Sequence, residues 1–274
     1  MKRVHVLEFE DLEICPGWLR DCLTRQIRVM CLAMGFDQAV ASVLRTVLQS
    51  SSRPEVLDLG SGAGGIMPEV LGAVQRGEDG VASATMTLSD RFPNAAAIDA
   101  ITALGVDGLS YHPAPVDATQ LEQAPHGVKT MVNSFHHLRP AEARSVLASA
   151  YAAKTPVLIY ELADNRLPFW LWLVTLPLGL FVTFVISLLL TPFVKPLTVR
   201  QLLFTYVIPL SPMLYAWDGQ ASYPRVYGPA DVEALTEGLD DGYTWTTGAG
   251  TNDRGKEVGF YLLGMPREAS PAEG

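Results

Sequence analysis

VLDLGSGAGG, residues 56–65, sets a short apolar run directly against a glycine-rich loop. A buried strand has to turn sharply into a helix there, and side chains would obstruct both the turn and the approach of a ligand to the backbone. Gly60, Gly62 and Gly64 remove them, so the loop suits a nucleotide-like ligand. Glycine spacing alone does not choose the ligand, since Gly60, Gly62 and Gly65 also satisfy the GxGxxG fingerprint of nicotinamide-binding folds. Asp58 separates the two. A carboxylate repels a pyrophosphate, whereas S-adenosylmethionine brings an ammonium and a sulfonium that a nearby carboxylate favours.

Around this loop, short apolar runs alternate with helical patterns. EVLDL (55–59), ATMTL (84–88), LSYHPA (109–114), KTMVNSF (129–135) and PVLIYEL (156–162) read as parallel strands covered by helices, because they are apolar on both faces. GPADVEALTEGL (228–239) reads as a helix, and TWTTGAG (244–250) and EVGFYLLGM (257–265) as two further strands. The expected fold is α/β, with a seven-stranded, mostly parallel Rossmann-like sheet whose last strand is antiparallel. Ahead of it, Trp18–Met34 has an apolar stripe at helical spacing, and a second helix over Asp37–Leu48 ends before Pro54. The expected division is a helical cap (1–53), a cofactor-binding core (54–161), an apolar insert (162–227), a completion of the sheet (228–266) and a disordered tail (267–274).

The chain from Glu55 to the final strand, leaving out the insert, resembles the class I S-adenosylmethionine-dependent methyltransferases. In that family the first strand ends in an acid followed by GxGxG, as Asp58, Gly60, Gly62 and Gly64 do here. The resemblance implies that Asp90, in TMTLSD, grips the ribose hydroxyls, and that Asp117 and Ala118, in VDAT, meet the adenine. It also puts Asn133 and Ser134, in MVNSFHHL, beside the methionine moiety. One departure is Arg91, which stands where the family has an apolar residue against adenine and leaves that role to Phe92 or elsewhere. Asp90 also fits a helix N-cap before Pro93 and Asn94, and Asp117 a cap of the next short helix.

His136 and His137 open the loop after the fourth strand, close to where the transferred methyl should lie. Imidazole titrates near neutral pH, so either one suits a general base; the pair equally suits a cap for the following helix. Neither has Cys or Asp at ligand spacing, so no metal is expected. Glu161 and Asp164, in YELADN, face the same rim and suit either a substrate amine or hydroxyl, or loop amides. Methyl transfer needs collinear approach to the sulfonium carbon, which positioning alone can supply.

Between Arg166 and Lys195 lie 28 uncharged residues, LPFWLWLVTLPLGLFVTFVISLLLTPFV. That exceeds the roughly 20 needed to cross a bilayer. The strands that follow complete the sheet begun before it, so both flanks must lie on one side of the membrane. Pro177, Leu178 and Gly179 divide the run into halves, each spanning about 15 Å as helix, which predicts a hairpin dipping into one leaflet. Leu202–Trp217 is expected beside it, with Lys195 and Arg200 near the headgroups; the alternative is a lid or interface that never meets lipid.

A net charge of −9 leaves no phosphate-tracking surface for nucleic acid. The opening residues lack the apolar core of a signal peptide, and Cys15, Cys22 and Cys31 fit neither a zinc site nor a disulfide framework, so a cytoplasmic protein at the inner face of the membrane is expected. The expected function is methyl transfer from S-adenosylmethionine to a lipophilic small molecule or lipid. A non-catalytic membrane adaptor with the same fold and a nicotinamide-dependent oxidoreductase are the alternatives.

Overall fold

The computed structural model describes residues 2–51, 53–76, 80–163, 165 and 167–267. Its strands are β1 Glu55–Leu59, β2 Thr85–Ser89, β3 Leu109–Tyr111, β4 Val128–Val132, β5 Val157–Glu161, β6 Tyr243–Thr251 and β7 Glu257–Pro266. Its helices are α1 Gly17–Met34, α2 Phe36–Gln49, α3 Met67–Gln75, α4 Ala95–Leu104, α5 Pro140–Ala152, α6 Phe169–Leu190, α7 Val199–Leu202, α8 Leu210–Arg225 and α9 Pro229–Thr236. Two compact units share them. Gly35–Leu162 and the chain from Pro229 onward form a sheet unit, while Lys2–Met34 and Ala163–Gly228 form a helical unit.

The sheet runs β3-β2-β1-β4-β5-β7-β6, with β1 to β5 parallel and β7 antiparallel to both β5 and β6. The seven strands and the antiparallel last strand are as the sequence predicts. β5 is buried along its whole length, β4 over all but its last residue and β1 over all but its first, as parallel strands covered on both faces must be. The second helix, α2, packs on α3, β6 and β7 within this unit. Gly250 makes that packing possible: a Cβ there would collide with the Ala39 carbonyl oxygen of α2. The Tyr160 hydroxyl pins the same spot, donating to the Val258 carbonyl at 2.8 Å and accepting from Gly250 N–H at 2.7 Å.

The helical unit departs from the predicted hairpin. α6 runs unbroken through Pro177, so the reversal does not fall at residues 177–179. A proline removes only one intrahelical donor, and tertiary packing outweighs that local cost. Gly179 is a contact glycine, since a Cβ there would strike the Gln220 side chain of α8. Gln220 donates to Thr183 Oγ1 at 2.9 Å, and its carbonyl accepts from the Trp172 indole at 3.0 Å. The chain turns instead over 191–209, and α8 then packs along α6 as the hairpin's second arm.

α1 packs against α6 and α8, and its Gln26 joins all three helices. The Gln26 amide donates to Ser187 Oγ at 2.9 Å and Thr191 Oγ1 at 2.7 Å, and its carbonyl oxygen accepts from Ser211 Oγ at 3.1 Å. At the other end of α8, fully buried Arg225 meets Glu8 at 3.0 Å and Asp11 at 2.7 Å.

Candidate cofactor and acceptor site

The site lies in the sheet unit at the carboxyl ends of β1, β2 and β4. Asp58, near the end of β1, is buried, and neighbouring hydroxyls occupy both its carboxylate oxygens: Thr130 donates to Oδ1 and Ser61 to Oδ2, each at 2.6 Å. The β1–β4 register sets Asp58 directly opposite Thr130, which explains the first contact. Burial pushes the Asp58 carboxyl up to about 7; the two hydroxyls pull it back and the Asp90 charge adds to the rise.

The glycine loop takes the left-handed conformation at Gly60, Gly62, Gly64 and Gly65. A Cβ at Gly64 would come within 2.7 Å of Ile101 Cδ1, so this glycine lets the loop settle on α4. At Gly62 a Cβ would meet nothing within 4 Å, and the backbone there faces open space. Gly62 N–H donates to Asp90 Oδ2 at 2.9 Å, and the Tyr111 hydroxyl donates to the Gly62 carbonyl at 2.9 Å.

Asp90 follows β2, and its other oxygen accepts from Phe92 N–H at 2.8 Å. It does not cap α4, because Asn94 does so by accepting from Ala96 N–H at 2.9 Å. Val116 N–H donates to the Asp90 carbonyl at 3.0 Å, which brings Asp117 and Ala118 beside Asp90. Asp117 Oδ1 closes a local turn on the Thr119 amide and hydroxyl, which hold its carboxyl below the usual range. Arg91 stands 4.0 Å from Asp117, and Phe92 is 80% exposed, so it is not packed into the fold.

At the end of β4, Asn133 adopts a left-handed φ of 52° and accepts from Leu162 N–H at 2.8 Å, tying β4 to the exit of β5. Ser134 lies against Gly60, and its buried hydroxyl has no hydrogen-bond partner among the described residues. Glu161, the buried last residue of β5, meets His136: its Oε1 accepts from the His136 backbone N–H at 3.0 Å and its Oε2 lies 2.7 Å from Nδ1. The His137 ring packs at a tilt against His136 with centroids 4.3 Å apart. Asp164 lies outside the described residues.

The sequence reading named Asp58, Asp90 and the glycines but missed Ser61, Ser89, Thr130 and Tyr111, which hold them. Ser89 donates to the Asp58 carbonyl at 2.7 Å. Ser61 lies in the loop itself, whereas strand register brings in Ser89 and Tyr111, the last residues of β2 and β3, and Thr130 from the middle of β4.

Strand order, the antiparallel β7 and the acid-then-glycine turn after β1 define the class I methyltransferase fold. An all-parallel dinucleotide-binding sheet has no such strand between its fifth and sixth. The chain is similar over 92% of its length to 98% of the plantazolicin methyltransferase BpumL, solved in complex with SAH, with a TM-score of 0.51 and 10% identity. The methyltransferase domain of bacterial CtHen1-CN matches with a TM-score of 0.47 and 12% identity, over 84% of this chain and 99% of that one. NcsB1, an O-methyltransferase from neocarzinostatin biosynthesis solved with S-adenosylmethionine and 2-hydroxy-5-methyl naphthoic acid, matches with a TM-score of 0.44 and 14% identity, over 86% of this chain and 57% of that one. Neither a protein-family model nor a curated protein sequence matches the chain.

Proposed function

We propose that this protein transfers a methyl group from S-adenosylmethionine to a lipophilic small molecule or lipid while associated with a membrane. The observation that carries the methyl-transfer reading is the Gly62–Asp90 pairing: a glycine-lined backbone facing open space, with a carboxylate fixed beside it at the head of this sheet. The residues present fit the donor. In this reading Asp90 takes the ribose hydroxyls, and the Asp117–Ala118 segment beside it takes the adenine. Gly60, Asn133 and the Ser134 hydroxyl, which has no partner among the described residues, take the amino acid end, with the Asp58 carboxyl behind the loop. Bound there, S-adenosylmethionine supplies an electrophilic methyl on a positively charged sulfur.

The chain's own contribution to proton movement is His136. With Nδ1–H donating to Glu161, the neutral ring carries its lone pair on Nε2, the atom that accepts the proton of an acceptor hydroxyl or amine. Glu161 thus serves as the positioning residue for that ring. His137 packs against the same ring.

The lipophilic acceptor and the membrane location rest on the helical unit. α6 with the turn after it, Phe169–Phe193, is long and apolar enough to cross a bilayer, and 6% of its most apolar window is buried. A helix of that composition left uncovered brings the protein to apolar material.

Calorimetry with SAH tests the cofactor assignment. We expect micromolar binding, and removal of the ribose hydrogen bonds in Asp90→Ala should weaken it by roughly 1.5–3 kcal/mol per bond lost. Unchanged affinity in a folded Asp90→Ala variant refutes the ribose role. Transfer of labelled methyl into the organic phase of a cell lipid extract tests the acceptor class; label found only in the aqueous phase refutes it.

A further inference from the structure

One face of the helical unit is built inside out, although the unit also buries Leu19, Leu23, Trp172 and Tyr215. On α6 the residues at spacing i, i+3, i+4, namely Trp170, Val174, Leu178, Phe181 and Val182, point outward and are 44–69% exposed. Two polar residues of the same helix, Thr183 and Ser187, turn inward to Gln220 and Gln26, while Thr175 is exposed and donates back to the Leu171 carbonyl. The turn after α6 repeats the inversion. Val199 is 81% exposed and Val207 71%, while Gln201 and Thr205, one helical turn apart, are fully buried, their side chains without a hydrogen-bond partner among the described residues. Water selects the opposite arrangement on α6; hydrocarbon selects this one, because a solvent without hydrogen bonds leaves polar groups to satisfy one another inside, as Thr183 does with Gln220 and Ser187 with Gln26.

Charge says which surface supplies the hydrocarbon. From Leu167 to Trp217 there is no acidic residue, and the two cations, Lys195 and Arg200, both fall in the exposed turn between α6 and α8. Long cationic side chains among apolar ones keep their stems in the acyl boundary and their heads at lipid phosphates.

The same unit also fixes how deep it goes. Gln26 bonds α1 to Ser187 and Thr191 at the far end of α6, and the Trp18 ring of α1 packs at a tilt against Phe204 with centroids 4.6 Å apart. α1 carries Arg20, Asp21, Arg25 and Arg28. A hairpin driven across the bilayer would drag those four charges in with it.

We infer that the outward stripe of α6 and the turn over 191–209 lie in the plane of one leaflet of an anionic bilayer, with Lys195 and Arg200 on phospholipid phosphates and α1 on the aqueous side. This rests on the membrane part of the proposed function and not on its chemistry.

The test uses the full chain with vesicles of phosphatidylcholine, and of phosphatidylcholine with about one third phosphatidylglycerol. Cosedimentation should favour the anionic vesicles by roughly an order of magnitude, and Lys195→Glu with Arg200→Glu should abolish that preference. Phe181→Glu should weaken binding to both. SAH affinity, measured on each variant, should not change, which separates this inference from the cofactor assignment. Trp170 fluorescence should be quenched by lipids brominated near the headgroup more than by lipids brominated near the bilayer centre, and Trp170→Phe should remove that signal.

Stronger quenching from the bilayer centre overturns the in-plane placement while leaving membrane association intact. Equal binding to both vesicle types overturns the anionic partner. No binding to either, with light scattering showing a dimer that Phe181→Glu dissociates, assigns the stripe to a second copy of the chain. No binding by a monomer that is soluble without detergent refutes the membrane reading altogether.

Discussion

The two units solve opposite solvation problems with the same twenty side chains. In the sheet unit, Val56, Leu57 and Leu59 go inside and the polar groups gather at strand ends around the glycine loop. In the helical unit a seam of Gln26, Ser187, Thr191 and Ser211 goes inside, and Trp170, Leu178 and Phe181 face out. Burial of apolar area stabilises the first unit in water. On the proposed membrane placement, the second gains its full stability only where its outside is also apolar.

One substitution placed in both units gives the sharpest contrast. Leu57→Glu buries an unpaired carboxylate in a fully enclosed strand and should abolish folding, at a cost of about 4–5 kcal/mol or more, seen as loss of the cooperative thermal transition. Phe181→Glu, on the outward stripe, is the smallest effect expected, within about 0.5 kcal/mol in water. If the two were equally harmful, α6 would be covered in solution and the contrast would be broken.

Between these extremes lies pH. The Asp58 carboxyl rises from 3.8 unfolded to about 7 folded, so the folded state holds its proton more tightly. That contribution is complete below pH 3.8 and is lost as pH rises to about 7, a few kcal/mol in all. Asp58→Asn should flatten that part of the stability profile, read by denaturant unfolding at several pH values. Glu10, in the helical unit, behaves alike: burial, then Asp218 and its acidic neighbours, push it up from 4.5 to about 8. Glu10→Gln should therefore flatten a window reaching slightly higher. A profile that neither variant changes would remove both assignments.

Smaller still is Gln26→Leu, which should cost about 1–2 kcal/mol by stripping partners from the buried hydroxyls of Ser187 and Ser211. A stabilising result would show that the helical unit tolerates an ordinary apolar interior.

The contrast also marks what could be read from the chain alone. EVLDL falls on β1 residue for residue, and the other parallel runs overlap their strands, because a strand buried on both faces announces itself locally and Pro or Gly punctuates its ends. Asp90 was legible because it ends such a run. The reversal near Pro177 was misplaced because the deciding contact, Gly179 against Gln220, joins positions far apart in sequence. The hydroxyls around Asp58 escaped notice for a related reason: Thr130 matters only once β1 and β4 are in register. Likewise Glu161 reads as a rim carboxylate until β5 and the turn after β4 set it against His136.

The antiparallel β7 has a consequence for the order in which the protein is made. β5 is complete by residue 161, yet the strand that covers its open edge does not begin until residue 257. Throughout synthesis of the intervening segment, the nascent five-stranded sheet presents the bare hydrogen-bonding edge of a mostly apolar strand, while α6 emerges behind it. A ribosome stalled in that interval would display two surfaces prone to mispairing at once, so truncation before Glu257 should yield aggregates rather than a smaller soluble domain, and chaperones or lipid present during translation should raise the recovered yield.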